Sequence, residues 1–590
     1  MRPFLLASLI AVPAVGALAQ GQTASQYGFY TVTPCRVADT RNPTGPYGGP
    51  ALAANSDRTL TVAGQCGVPS TAESVVLNVT VTQATAGGDL RIYPGGSAPT
   101  ASAINYAAGK TRANNGSYAL SSAGSLVVHC DQASGSVQVI LDVAGYFEGQ
   151  APTGGGTVWS RRSGDTSDDR GEAVAVDGQG RVAVTGHFDG TTDFGGGRVS
   201  SYVHPTLGST VDLYVAEYSS SGAYLWSRVV GSDADEEGKG IATDVSGNVL
   251  VTGYQGSYVL DFGGGAQFSH GGNDVFVAKY SSTGSWVWSK TIGGSGYDQG
   301  NAIEADGAGN VFVTGYFGPA TGGVDFGGGG LVSAGMYDVF LVKYSASGQH
   351  LWSKRFGGAG NDTGMAVSTD SSGNVVIAGS FENAVDFGGG ALTSAGMRDV
   401  FVAKYSSTGQ HLWSKRFGGT GDEVGYGLAV DSAGDVVVSG KFQGSVSFGG
   451  ATLTSAGGDD IFLAKLSGAT GAHSWSKSFG STSGDVSLGV AVDANKNIAM
   501  TGYFTGSVDF GGGALSSSGL DVFVAKYNSA GTYMWSRRYG AFDTQIGNSV
   551  AMAATGEVSV TGYFATTIDF GTGLLTSAGS YDGFVASIGP

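Results

Sequence analysis

The sequence predicts an all-β protein built mostly from one repeated four-stranded unit. Three observations lead there. First, the 590 residues hold 104 glycines, 41% hydrophobic residues and only 13% charged ones. Gly and Ser beside abundant Val, Phe and Tyr indicate many short strands joined by tight turns. Glycine has no every-third-residue period, which excludes a collagen-like chain. Second, Trp159, Trp226, Trp288, Trp352, Trp413, Trp475 and Trp535 recur 60 to 67 residues apart. Third, a run of the type DVFVAKY begins at Asp212, Asp274, Asp338, Asp399, Asp460, Asp521 and Asp582. Residues 157–590 therefore read as seven copies of one unit.

The fourth copy shows the four strands. GMAVST (364–369) and NVVIAG (374–379) flank Asp370-Ser371-Ser372-Gly373, a hairpin turn with Asp to cap and Gly to turn. DVFVAKY (399–405) is the third strand. HLWSKRF (411–417) is the fourth, after an SSTG turn. The inner strands are nearly continuous Val, Ala and Ile, as expected when both faces of a small sheet are covered. Radial packing of such sheets makes a propeller, and seven copies predict seven blades. The last copy lacks a fourth strand, and the region opens on an orphan one, TVWSRR (157–162). The expectation is a closed seven-bladed β-propeller whose last blade takes its outer strand from the N-terminal strand of the repeat region. A linear solenoid would want capping units, and neither end looks like one.

Most copies contain Asp-Phe followed by glycines, at Asp193, Asp261, Asp325, Asp386, Asp509 and Asp569, with Ser447-Phe448 in the remaining one. Asp509-Phe510-Gly511 spells the magnesium-binding triplet of protein kinases. A kinase needs one such triplet with a catalytic loop and a lysine strand, and those partners are missing. Each copy reads instead as a part of the scaffold, Phe for packing and Gly for positive backbone angles.

The unit WSKRFGG…GD…AVDSAGDVVVSGKF…FGG…TSAGGDDIFLAKLS resembles the bacterial β-propeller repeat family abbreviated SBBP. The resemblance covers about three quarters of the chain. It implies a seven-bladed propeller on exported or surface proteins and no single activity.

Upstream, MRPFLLASLIAVPAVGALAQ has Arg2, an apolar run and Ala17-Leu18-Ala19. This reads as a signal peptide over 1–19, hence a secreted or cell-surface protein. Residues 20–149 alternate apolar strands such as SVVLNVTVT (74–82) with Gly/Pro/Ser turns, which predicts a β-sandwich-like domain. Its phrases FYTVTPCRVADTR and VILDVAGYF look like a module of exported bacterial proteins, a likeness that implies location and fold but no reaction. Residues 150–156 are a Gly-rich linker. Cys35, Cys66 and Cys130 allow one disulfide and three pairings, of which Cys35–Cys66 is preferred. Arg36, Asp39 and Arg41 read as a structural ion pair.

The net charge of -17 disfavours nucleic acid and anionic membrane as partners. Beyond the N-terminus no stretch approaches the ~18 apolar residues of a membrane helix. No zincin, nucleophile-elbow or similar catalytic motif appears. His350, His411 and His473 share one repeat-equivalent position, and His187 stands where other copies have Tyr or Phe, a packing swap. The loops after each fourth strand carry acids, and those between second and third strands open on the same face. Asp168, Asp169, Asp235, Glu236, Asp298, Asp362, Asp422, Asp485 and Asp543 are thus candidates for a carboxylate ring around a channel, binding cations or a basic ligand. The alternative is that each acid caps its own loop through backbone hydrogen bonds. Two insertions lie on that face, 198–211 with His204, a further candidate, and 318–323. Asp233, Asp235 and Glu237 match the start of a calcium loop, though Asp244, at the twelfth place, falls beyond a strand. Calcium is the one cofactor suggested.

The reading that follows is an exported non-catalytic binding or adhesion scaffold for a surface protein or polysaccharide. Calcium-assisted lectin, glycan-degrading enzyme and structural surface-layer protein are the alternatives.

Overall fold

The computed structural model of the protein describes residues 27–590, apart from 70–71, 97, 122, 150–154, 205–207 and 321–322. The expected signal segment and most of the expected linker lie outside the described residues. The chain forms two compact units, Met1–Thr153 and Gly154–Pro590. The structure is all-β, with no helix among the described residues and hence none long and apolar enough to cross a membrane.

In the first unit, Tyr27–Asp39, Ser136–Gly149, Ala72–Thr82 and Arg112–Ala119 lie in that order in one antiparallel sheet. Leu52–Ala53 is added on Ser136–Gly149. A second sheet orders Ser56–Thr61, Ser125–Gln132, Gly88–Tyr93 and Ile104–Tyr106. Both sheets feed one apolar cluster. Val75, Leu77, Val79 and Val81 are buried in it, while the residues between them are half-buried, the period-two signature of a strand with one covered face. Cys35 is bonded to Cys66, and Cys130 is a buried free thiol. Arg41 grips the buried Asp39 with two bonds, of 2.9 and 2.7 Å, and holds its carboxyl down to about 2. Arg36 bridges Asp39 to Asp142.

The second unit has a propeller-like architecture of repeated four-stranded antiparallel sheets, seven of them among the described residues. Sheet four is representative: Thr363–Thr369, Val375–Phe381, Asp399–Tyr405 and His411–Phe417, in sequence order. Its second and third strands are buried at every residue, whereas the fourth is an edge carrying Ser, Lys and Arg. The apolar clusters lie between consecutive sheets, so each sheet is covered on both faces. First strands pack beside first strands along the series, and that of sheet seven, Gln545–Met552, lies beside that of sheet one, Arg170–Val176. Asn548 Nδ2 donates to the Gly171 carbonyl across this seam at 3.0 Å. Thr157–Ser163 pairs antiparallel with Asp582–Ile588 and supplies the fourth strand of sheet seven. Gly155 and Gly156 already bond to Gly589, so the chain is tied to this unit before the strand begins.

The Asp-Phe-Gly segments prove to be turns. Asp386 Oδ1 accepts from Gly388 N at 2.7 Å and Gly390 N at 3.0 Å, and both glycines have positive φ, 107° and 100°. Phe387 is fully buried and stacks on Phe401 at 4.4 Å. The same Asp bonds recur at Asp193, Asp261, Asp325 and Asp509.

Candidate functional site

The acids expected to ring a channel divide into two groups. Asp169, Glu236, Asp298, Asp362 and Asp485 are buried. Asp298 shows why: its carboxylate accepts from Gly294 N at 2.8 Å and Gly318 N at 3.0 Å. It thereby staples the loop after a fourth strand to the loop after a second strand. Asp362 does the same for Gly358 and Glu382, and Asp485 for Ser481 and Thr505. Glu236 holds Ser232 and Ser257, and Asp169 holds Asp165 and Asp189. In sheet five the staple is Glu423 rather than Asp422. In sheet seven it is Gln545. These groups serve the backbone, not a ligand. Burial pushes the Asp169, Glu236 and Glu423 carboxyls up to about 7, and those of Asp298 and Asp362 up to about 6.

The second group is nearer solvent, except for the buried Asp422. Asp168 forms a two-bond pair with Arg170, and Asp422 one with Arg398 plus a contact to Lys441. Asp233, Asp235 and Asp543 are exposed, and His204 lies on the short strand Val203–His204. Of the three acids expected to start a calcium loop, Asp233 and Asp235 stand in the exposed loop, whereas Glu237 lies on the strand Glu236–Thr243 and is paired with Lys239.

A second buried acid begins every third strand. Asp399 accepts from Ala395 N four residues back, and Asp460 from Ala456 N. Arg355, Arg416, Arg538 and Arg162 on fourth strands pair with Asp338, Asp399, Asp521 and Asp582. Sheet five has Ser478 at that register. There burial leaves Asp460 pushed up to about 6. A glycine stands five residues before each staple. A Cβ on Gly418 would sit 2.3 Å from the Asp399 carboxyl carbon, which explains the Phe-Gly ending of that strand.

The first strands open on a cavity of about 480 Å³. Each first strand carries a one-residue register shift near its start. The extra residue is Glu172, Lys239, Asn301, Met365, Tyr426, Leu488 or Asn548, and all seven line the cavity. A bulge frees its side chain from the sheet's own packing. The staple position is nearly constant between sheets, and this one differs in chemistry from sheet to sheet. Four polar residues follow one another from sheet seven through sheet three, and three apolar ones occupy sheets four to six. Glu304, also lining the cavity, stands where other copies have Ala or Ser. Burial pushes it up to about 7.

On the polar side, Glu172, His187 and Glu237 bring ligating atoms within 4.8 Å of one another, and among the described residues they are the one such trio. The register places Tyr, Ser or Lys, rather than the expected Tyr or Phe, at the position of His187 in the other sheets. His187 Nδ1 lies 3.8 Å from Glu172 and 3.5 Å from Glu237. Lys239 contacts both carboxylates. Sequence reasoning missed this trio because two neighbouring sheets contribute to it. Its one signal was an imidazole opposite a bulged acid.

Residues 287–316 match the SBBP family, described as a beta-propeller repeat. They run from the fourth strand of sheet two, Trp286–Ile292, to the second strand of sheet three, Val311–Phe317. The chain is 24% identical over 457 residues to the uncharacterized WD repeat-containing protein L264 of Acanthamoeba polyphaga mimivirus, covering 63% of this chain and 33% of that one. It is 29% identical over 133 residues to the regulatory protein FlaEY of Caulobacter vibrioides, covering 22% and 14%. It thus spans a third or less of the length of these two relatives. The crystal structure of Sqt1 from Chaetomium thermophilum aligns with a TM-score of 0.37 at 10% identity, covering 74% of this chain and 99% of that one. The match places an SBBP beta-propeller repeat at residues 287–316.

Proposed function

We propose that the chain is an exported, non-catalytic scaffold: a β-sandwich followed by a closed seven-bladed propeller that binds a protein partner at its channel mouth. The pairing of Thr157–Ser163 with Asp582–Ile588 supports closure, and the apolar cluster shared by two sheets supports the sandwich. The apolar N-terminal run supports export. The likeness to a WD repeat-containing protein fits a repeat scaffold.

The observation that carries the reading is the ring of seven bulged residues. The acids are occupied in holding loops, so the repeat leaves the bulges free to vary. The loops at the same end of the sheets expose Tyr297, Met336, Met397 and Phe542, the last at 87%. Apolar side chains around a mixed polar and apolar mouth suit a protein surface better than a free ion or a purely polar chain. In the producing cells, a photo-crosslinking residue placed at Met397 or Phe542 should give a discrete protein adduct. One placed at exposed Val245, in the turn at the other end of a sheet, should not. Equal adducts at all three, or none at the mouth, would overturn the reading.

A further inference from the structure

We infer that Glu172, His187 and Glu237 form a binding site for one divalent transition-metal ion of the zinc type, which displaces Lys239 on binding. The inference does not depend on the protein partner.

The three ligands come from three strands. Glu172 is the bulged residue of Arg170–Val176, His187 lies on Val182–Phe188, and Glu237 is the second residue of the first strand of sheet two. Equivalents of His187 in the other sheets are Tyr254, Tyr316, Ser380, Lys441, Tyr503 and Tyr563, so the imidazole is peculiar to this seam. The His187 side chain is 7% exposed, and its Nδ1 has no hydrogen-bond partner. A buried ring nitrogen that faces two carboxylates and has no hydrogen-bond partner of its own is a costly arrangement for a group with only a packing role. It is the arrangement a metal needs.

One imidazole with two carboxylates favours zinc, cobalt or a similar ion over calcium, which prefers oxygen alone. The two carboxylates neutralise a dication. Asn548 Nδ2 reaches the far oxygen of Glu172 at 3.4 Å, and Tyr254 bonds to Glu237, so both ligands have outer partners to orient them. Three protein ligands leave coordination positions open towards the cavity. Lys239 lines that cavity and keeps 24% of its side chain exposed, so it has an exit. Its ammonium acts as the resident cation and sets a threshold that a metal must exceed.

The test is a cobalt(II) titration of the full chain at neutral pH, read by visible absorption, with zinc calorimetry alongside. The expected result is one saturable equivalent. His187→Ala should weaken it at least about tenfold, and Lys239→Met should tighten it. Glu172→Gln gives the same loss if the histidine variant does not fold. No saturable equivalent in either the parent or Lys239→Met would overturn the proposal. So would binding that His187→Ala and Glu172→Gln leave unchanged.

Discussion

Sheet five lacks one side chain that four other sheets possess, and supplying it should stabilise the protein in a pH-dependent way. Asp460 is 2% exposed, accepts Ala456 N at 2.8 Å, and has no hydrogen-bond partner at Oδ1. Burial holds its carboxyl at about 6 against an ordinary 3.8. Keeping it ionised at neutral pH therefore costs about 3 kcal/mol. Ser478 sits opposite Phe462, where Arg416 sits opposite Phe401 and Arg538 opposite Phe523. Arg538 reaches Asp521 at 2.7 Å while 35% of its side chain remains exposed. Ser478→Arg places a guanidinium by the same route. Recovery of part of the cost, about 1–2 kcal/mol at pH 7.5, is expected. The sign follows from linkage. In the parent the folded state keeps the Asp460 proton longer than the unfolded chain does, so stability falls as pH climbs from about 4 through 6. The arginine lowers the folded-state value and removes that fall. The gain should be full at pH 7.5 and small at pH 4. All eight tryptophans lie beyond residue 156, so fluorescence-detected urea unfolding reports the repeat unit alone. No gain at pH 7.5, or an equal gain at both pH values, would refute the reasoning.

Other outcomes follow from the same contacts. Gly418→Ala drives a methyl group to within 2.3 Å of the Asp399 carboxyl carbon and should cost about 1–3 kcal/mol in the same urea assay. The thermal midpoint of the repeat unit should be higher at pH 5 than at pH 7.5, because five staple carboxyls are raised to about 6 or 7 and their stabilisation is lost as pH rises through those values. It should drop again below about pH 4. There Asp244, Asp306, Asp370 and Asp431 lose their charge; burial opposes it, but lysine and backbone partners hold these carboxyls low. Calorimetry across pH checks both limbs. Glu304→Ala should raise the midpoint at pH 8 and leave it unchanged at pH 5, since the group is raised to about 7 by burial.

Much of the scaffold was legible because repetition exposes it. A buried third strand must be apolar at every position, so DVFVAKY reads as one wherever it recurs. The Asp-Phe-Gly turns were legible as structure because a catalytic motif has no cause to recur in nearly every unit. The acids were legible as a set, but their individual roles were not. Asp422 and Glu423 are adjacent in the sequence, and strand register alone makes the second the staple and leaves the first to Arg398. The bulged residues escaped notice because a bulge shifts the side-chain period by one without any mark in composition. His187 escaped for another reason. Its partners lie in the first strands of two sheets, one of them 50 residues away, and their approach depends on how sheets one and two pack.

The account divides the repeat between acids that hold it together and bulged residues that line the cavity. The most direct test sets Asp298→Ala, Asp362→Ala and Asp485→Ala beside Met365→Ala and Leu488→Ala and measures unfolding free energy by tryptophan fluorescence. Each acid variant leaves two buried amides without an acceptor and should lose about 2–5 kcal/mol. The bulge variants should each lose about 1 kcal/mol or less. Tolerance of the acid substitutions together with collapse of the bulge variants would contradict the account.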